Sequence, residues 1–152
     1  MTLAMIVSAA IASATPGIPE GASKLELSVD GRTLAVYTYK PATYTNGPLI
    51  LVFHGLARNA EEYRDHAKGL ADRLKAIVAA PEFDEERFPY ERYSQGGLTQ
   101  DGAVRPRVEW TWSLVPRIAD ALRRQEGRLD NAVRSAGSFR GGPVRRPHDR
   151  LR

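Results

Sequence analysis

Leu49-Ile50-Leu51-Val52-Phe53 is apolar without a break and stops at His54-Gly55. A strand with one wet face alternates polar and apolar side chains. An unbroken run instead predicts a strand buried on both faces, as in a parallel sheet covered by helices on each side. The flanking sequence agrees. Upstream, Leu25, Leu27 and Val29 share one face and Asp30-Gly31 supplies a hairpin turn. Leu34, Val36 and Thr38 then line one face, with Tyr37 and Tyr39 on the other. Downstream, Asn59 with Glu62 three residues on resembles a capping box. Tyr63, Ala67, Leu70, Ala71 and Leu74 recur at helical spacing, so one helix is expected up to Lys75. Residues 76–80 form a second short buried run. Hairpin, strand, helix, strand is the order that opens a doubly wound, mostly parallel α/β sheet.

Residues 81–108 are polar, hold Pro81, Pro89, Gly96, Gly97 and Gly102, and show no periodicity. A loop of that length is expected to be functional or to pack as a cover. Trp110, Trp112, Leu114, Ile118 and Leu122, with Pro116 near the start, then predict an amphipathic helix that Gly127 ends. A further buried strand is due next. Residues 131–152 offer no apolar run and are expected to form a disordered, Arg-rich tail after a partial domain over 24–130.

Charge follows the same division. Of 22 basic and 18 acidic residues, the last 22 positions hold six arginines and one acid, leaving 16 basic and 17 acidic groups in residues 1–130. A polyanion partner suggested by the net charge of +4 thus rests on the tail alone. With no aromatic beyond Phe139 and no motif there, nucleic acid is not expected as a partner. The absence of cysteine removes disulfides, Cys-liganded zinc and a thiol nucleophile. No G-x-G-x-x-G follows a strand, and neither a Walker loop nor H-E-x-x-H occurs, so no cofactor or metal is called.

At the amino end, residues 3–14 are an apolar run closing on Ala12-Ser13-Ala14, the small-x-small pattern of a signal-peptidase site. The run falls short of the roughly 20 residues a bilayer span needs. Residues 1–14 are therefore read as an export signal to the periplasm or medium, although no Lys or Arg precedes the run. The alternative is an Ala-rich terminus of a cytoplasmic protein.

The segments LVFHGLARNAEEYRD, VAAPEFDEERFP and EWTWSL resemble the α/β-hydrolase family, in particular secreted esterases similar to polyhydroxybutyrate depolymerases. The resemblance covers residues 24–130 and implies the N-terminal half of that fold. It implies that the His54-Gly55 turn presents the backbone N–H of Leu56 to the oxyanion of an ester, with His54 and Gly55 shaping the turn. Arg58 and Tyr63 flank this turn and are candidates for shaping the substrate mouth, with ordinary surface packing the favoured account. The family's next element is a strand leading to G-x-S-x-G, and no such motif occurs in the chain. Val133-Arg134-Ser135-Ala136-Gly137 comes nearest, with Val133 where the first glycine belongs. The acid and the histidine that follow the serine in this fold have no room.

The genetic code offers a reason. Residues 137–144 can be encoded as GGG TCA TTC CGC GGG GGC CCA GTT, which one nucleotide later reads G-H-S-A-G-A-Q. The tail from about Asn131 is accordingly expected to be a frameshifted extension of an esterase N-terminal half.

Other candidates have plainer readings. His66 is expected on a solvated helix face, His148 lies in the suspect tail, and Asp84, Glu85 and Glu86 read as an acidic turn before a metal site. Trp110 and Trp112 read as helix contacts before a ligand platform. Two functions from different classes remain. One is a truncated serine ester hydrolase, inactive as written, whose complete form cleaves small esters or polyesters through an acyl-enzyme. The other is a non-catalytic α/β scaffold whose basic tail binds a polyanion or protein partner.

Overall fold

Two nine-residue strands, β1 (Gly21–Val29) and β2 (Arg32–Lys40), pair antiparallel through the Asp30-Gly31 turn. Both turn residues have positive φ, 50° and 73°, the conformation a two-residue hairpin requires. A computed structural model of the chain describes residues 17–128 and 132–137. The export signal over 1–14, the tail beyond Gly137 and His148 lie outside the described residues.

β3 (Leu49–Phe53) and β4 (Ile77–Pro81) run parallel, and β2 lies antiparallel to β4 on its other side. Between β3 and β4 come α1 (Ala60–His66) and α2 (Lys68–Leu74). The single helix expected up to Lys75 is thus two. Ala67 sits at φ −91°, ψ −3°, and its N–H turns to the Arg64 carbonyl three residues back at 3.1 Å, which breaks the four-residue ladder. The capping box does not form either, because the Asn59 amide donates to the Glu62 carboxylate and leaves the helix N–H groups alone.

The unbroken apolar run is explained by what covers it. Leu49, Leu51 and Phe53 face a core shared with α4 (Leu114–Glu126), whereas Ile50 joins Ala71, Ala76 and Val78 on the α1/α2 face. Each strand side chain alternates faces and both faces are dry. Pro116 occupies the first turn of α4, where its missing N–H has no partner to lose, and Gly127 ends the helix at φ 73°. Below β3, Gly47 lies against the Lys75 carbonyl so closely that a Cβ would stand 1.6 Å from that oxygen.

The polar stretch 81–108 is more ordered than its sequence suggests. It contains a short helix, α3 (Tyr90–Tyr93), and a small hairpin of β5 (Thr99–Gln100) and β6 (Ala103–Val104). Phe83, Phe88 and Tyr93 anchor it in the core, so it packs as a cover.

The strand judged missing after the last helix is present. β7 (Val133–Gly137) lies parallel beside β3, with Leu49 opposite Val133 and Phe53 opposite Gly137. It corrects the expectation that residues from 131 make only a disordered tail. The open edge of β3 accepts any chain that can offer regularly spaced N–H and C=O groups, apolar or not. The sheet order is β1-β2-β4-β3-β7, an α/β sheet, mostly parallel around β3, with helices on both faces.

Candidate functional site

Where β3 ends, the chain turns through His54, Gly55, Leu56 and Ala57 to Arg58, and the Arg58 N–H closes the turn on the Gly55 carbonyl at 3.3 Å. His54 is 3 % exposed. Its Nε2 accepts the Phe83 N–H at 3.0 Å, which fixes the proton on Nδ1, and Nδ1–H donates to the Gly55 carbonyl at 2.7 Å. Burial holds this imidazole below its ordinary pKa; Arg58 adds to the effect and the Gly55 carbonyl opposes it. Both ring nitrogens of this neutral histidine are engaged, and it bridges the ends of β3 and β4.

That bridge orients one peptide group. The Gly55 carbonyl is held by His54 and by Arg58, and in a planar trans peptide the N–H of the next residue points the opposite way. The Leu56 N–H therefore faces away from the imidazole. It has no acceptor among the described residues, and the Leu56 side chain is 56 % exposed. A donor held by its own peptide partner is what an oxyanion needs, because no reorganisation is required as charge develops. Space at Gly55 is tight: a Cβ would come 3.2 Å from the Tyr63 hydroxyl, which would have to give by a few tenths of an ångström.

The surrounding groups make the turn rigid. Tyr93 stacks on His54 with ring centroids 4.7 Å apart and donates its hydroxyl to the His54 carbonyl. Burial pushes the Tyr93 phenol far above its usual range, so it stays a donor. Arg58 lies over the other side of this assembly, its guanidinium 4.4 Å from the Tyr93 ring centroid, and donates to the carbonyls of Phe83 and Phe88 at 2.9 and 2.7 Å. Arg58 has a φ of 57°, a left-handed conformation that these contacts maintain.

Of the residues singled out from sequence, His54, Gly55, Leu56, Arg58 and Tyr63 are brought together at the carboxyl end of β3. Arg58 is turned inward as a clamp, while Tyr63 stays half-buried beside Gly55. His66 is solvent-exposed next to Glu62. Asp84 accepts from the Arg87 N–H at 2.8 Å and its Nε at 2.6 Å, closing an acidic turn. The Trp110 indole donates to the Arg105 carbonyl, and Trp112 packs on Gly96. Sequence reasoning missed Tyr93 and Phe83, because nothing in a loop without periodicity marks which aromatics turn inward.

The chain resembles a set of solved hydrolases. With the poly(3-hydroxybutyrate) depolymerase of Bordetella parapertussis it shares 32 % identity at a TM-score of 0.70, covering 78 % of this chain and 43 % of that one. With poly(aspartic acid) hydrolase-1 of Sphingomonas sp. KT-1 the values are 29 % and 0.68, covering 78 % and 47 %. An esterase from Pyrobaculum calidifontis shares the fold at 19 % identity and a TM-score of 0.51. The chain spans less than half the length of each. No protein-family model and no curated protein matches it.

Proposed function

The chain has the fold of the α/β-hydrolase family, and on that premise we propose that it is the N-terminal half of a serine ester hydrolase that keeps its oxyanion turn and has lost its nucleophile to a shift of reading frame. The observation that carries this is the register of β7. Gly137 pairs with Phe53 at the end of β3, and the turn that carries the free N–H of Leu56 follows directly on that end of β3. In the frame that reads G-H-S-A-G, position 139 is the serine; in the frame as written it is Phe139. The complete form would form an acyl-enzyme on that serine, with the developing oxyanion held by Leu56, and would act on carboxylic esters or polyesters. The chain as written is expected to be inactive, since its sequence holds no G-x-S-x-G.

The nucleotide sequence beyond codon 130 tests the reading. A shifted frame that continues with G-H-S-A-G and later Asp and His codons supports it, and the restored protein should then turn over p-nitrophenyl butyrate. In that protein Leu56→Pro, which removes the donor N–H, should lower kcat by about a hundred- to a thousand-fold. Stop codons closing both shifted frames at once would overturn it, leaving the non-catalytic scaffold.

Export belongs to the same proposal. Ile18 is 2 % exposed in the core and its N–H donates to Glu126 at 2.9 Å, so a cut after Ala14 leaves only Thr15, Pro16 and Gly17 ahead of the folded body. Among the described residues no helix is long and apolar enough to cross a membrane. Secreted material should begin at Thr15; cytosolic protein retaining Met1 would refute cleavage.

A further inference from the structure

A concave site whose lining does not include Leu56 lies between the β1–β2 turn, α3 and the first turns of α4. Its volume is about 200 Å³, and Arg32, Arg92, Arg117, Phe88, Trp110 and Thr111 contribute to its lining. We propose that this cavity binds an organic carboxylate carried on a short apolar chain.

The charge argument rests on which arginines are already neutralised. Two acids reach the cavity wall, Asp30 and Glu109. Asp30 is taken by Arg117, and Glu109 by Arg105, whose Nη2 lies 2.6 Å from its carboxylate. Arg32 and Arg92 have no ion-pair partner among the described residues. Two of the lining arginines therefore keep unmet guanidinium donors, a group that suits a carboxylate through paired N–H donors.

Apolar side chains make up the lesser part of the wall and select the rest of the ligand. Phe88 is 3 % and Leu114 4 % exposed, yet both border the cavity, and Val108 at its rim is 71 % exposed. Trp110 holds its indole N–H on the Arg105 carbonyl, so its ring meets the cavity without an unmet donor. Inorganic phosphate would waste this surface, whereas a fatty or hydroxy acid covers it. At ~30 Å³ per water the volume holds roughly six to seven non-hydrogen atoms, the size of butyrate. Phe88 also joins the site to the turn, because its carbonyl receives Arg58. The binding itself does not depend on the nucleophile, so it is separable from the esterase reading.

Titration of the isotopically labelled chain with butyrate, followed by amide resonances, tests the proposal. Saturable shifts are expected at Phe88, Arg92 and Thr111, and the neutral isostere butyramide should bind about tenfold more weakly or not at all. Arg32→Gln and Arg92→Gln, each checked by circular dichroism for an unchanged melt, should weaken butyrate about tenfold. Arg73→Gln, on the exposed side of α2, should leave it unchanged. Equal binding of butyrate and butyramide would overturn the proposal. So would shifts confined to Gly55 and Leu56, or inorganic phosphate matching butyrate.

Discussion

β3 and β7 are hydrogen-bonded neighbours over five residues in uninterrupted parallel register, yet they are filled in opposite ways. β3 is apolar throughout and buries Leu49, Ile50, Leu51 and Phe53. β7 begins with Val133, which packs on the core, and then exposes Arg134 and Ser135. Main-chain pairing is nearly blind to sequence, since every residue but proline brings the same donor and acceptor. Burial is not blind, and it supplies most of the stabilisation. β7, the outer strand of the five, satisfies the first throughout and the second at Val133, while Arg134 and Ser135 stay in solvent.

The comparison can be broken most decisively by activity. If the β7 position belongs to a displaced nucleophile strand, the frame-restored protein should exceed the chain as written by about a million-fold in kcat on p-nitrophenyl butyrate. Turnover by the chain as written, well above a Leu56→Pro control, would mean the nucleophile is elsewhere.

Stability comes next. Leu51 is fully buried, and Leu51→Ala should cost about 2 to 5 kcal/mol in urea denaturation. Arg134→Ala, one strand away, should stay within about 0.5 kcal/mol. Equal losses would show that β7 is as integral as β3.

A smaller effect sharpens the contrast on the turn side. His54 has a folded pKa below its ordinary 6.5, so below that value the unfolded chain takes up a proton that the folded chain refuses. Its contribution is intact above about pH 6.5 and declines as the pH falls through that value towards the folded pKa. The melting temperature of the wild type should fall more between pH 7.5 and 5 than that of His54→Gln. A steeper fall in the variant would contradict the buried neutral imidazole. The smallest effect is expected at the amino end, where Lys40 bridges Glu126 at 2.6 Å and the Ile18 carbonyl at 3.2 Å. Lys40→Met should cost about 1 kcal/mol and speed proteolysis ahead of Ile18; unchanged cleavage would leave the bridge incidental.

What the sequence made legible follows from where the physics is local. The β1–β2 turn, the two-faced β3 run and the Gly127 stop are all set by residues close in the chain, and each appears as expected. The His54-Gly55 turn was visible because a buried run ends there. The helix break at Ala67 was hidden, since Ala67 itself favours a helix and its neighbours keep the period. β7 was hidden because its cause lies in the vacant edge of β3. The interior of 81–108 was hidden because Phe83, Phe88 and Tyr93 find their partners in His54 and Arg58, some 25 to 39 residues back.

The tip of the β5–β6 hairpin is open to solvent: its four strand residues are exposed, nothing lies within 4 Å of a Cβ built on Gly102 in its turn, and Arg105 ties Gln100 back towards Glu109. The chain contains no cysteine, so Ala103→Cys would create the single thiol of the protein on that hairpin. A fluorophore attached there reports from one known point without disturbing core or turn. Distances from it to Trp110 and Trp112, followed while the chain is diluted from urea, would time the closing of the 81–108 cover against the formation of the sheet beneath it.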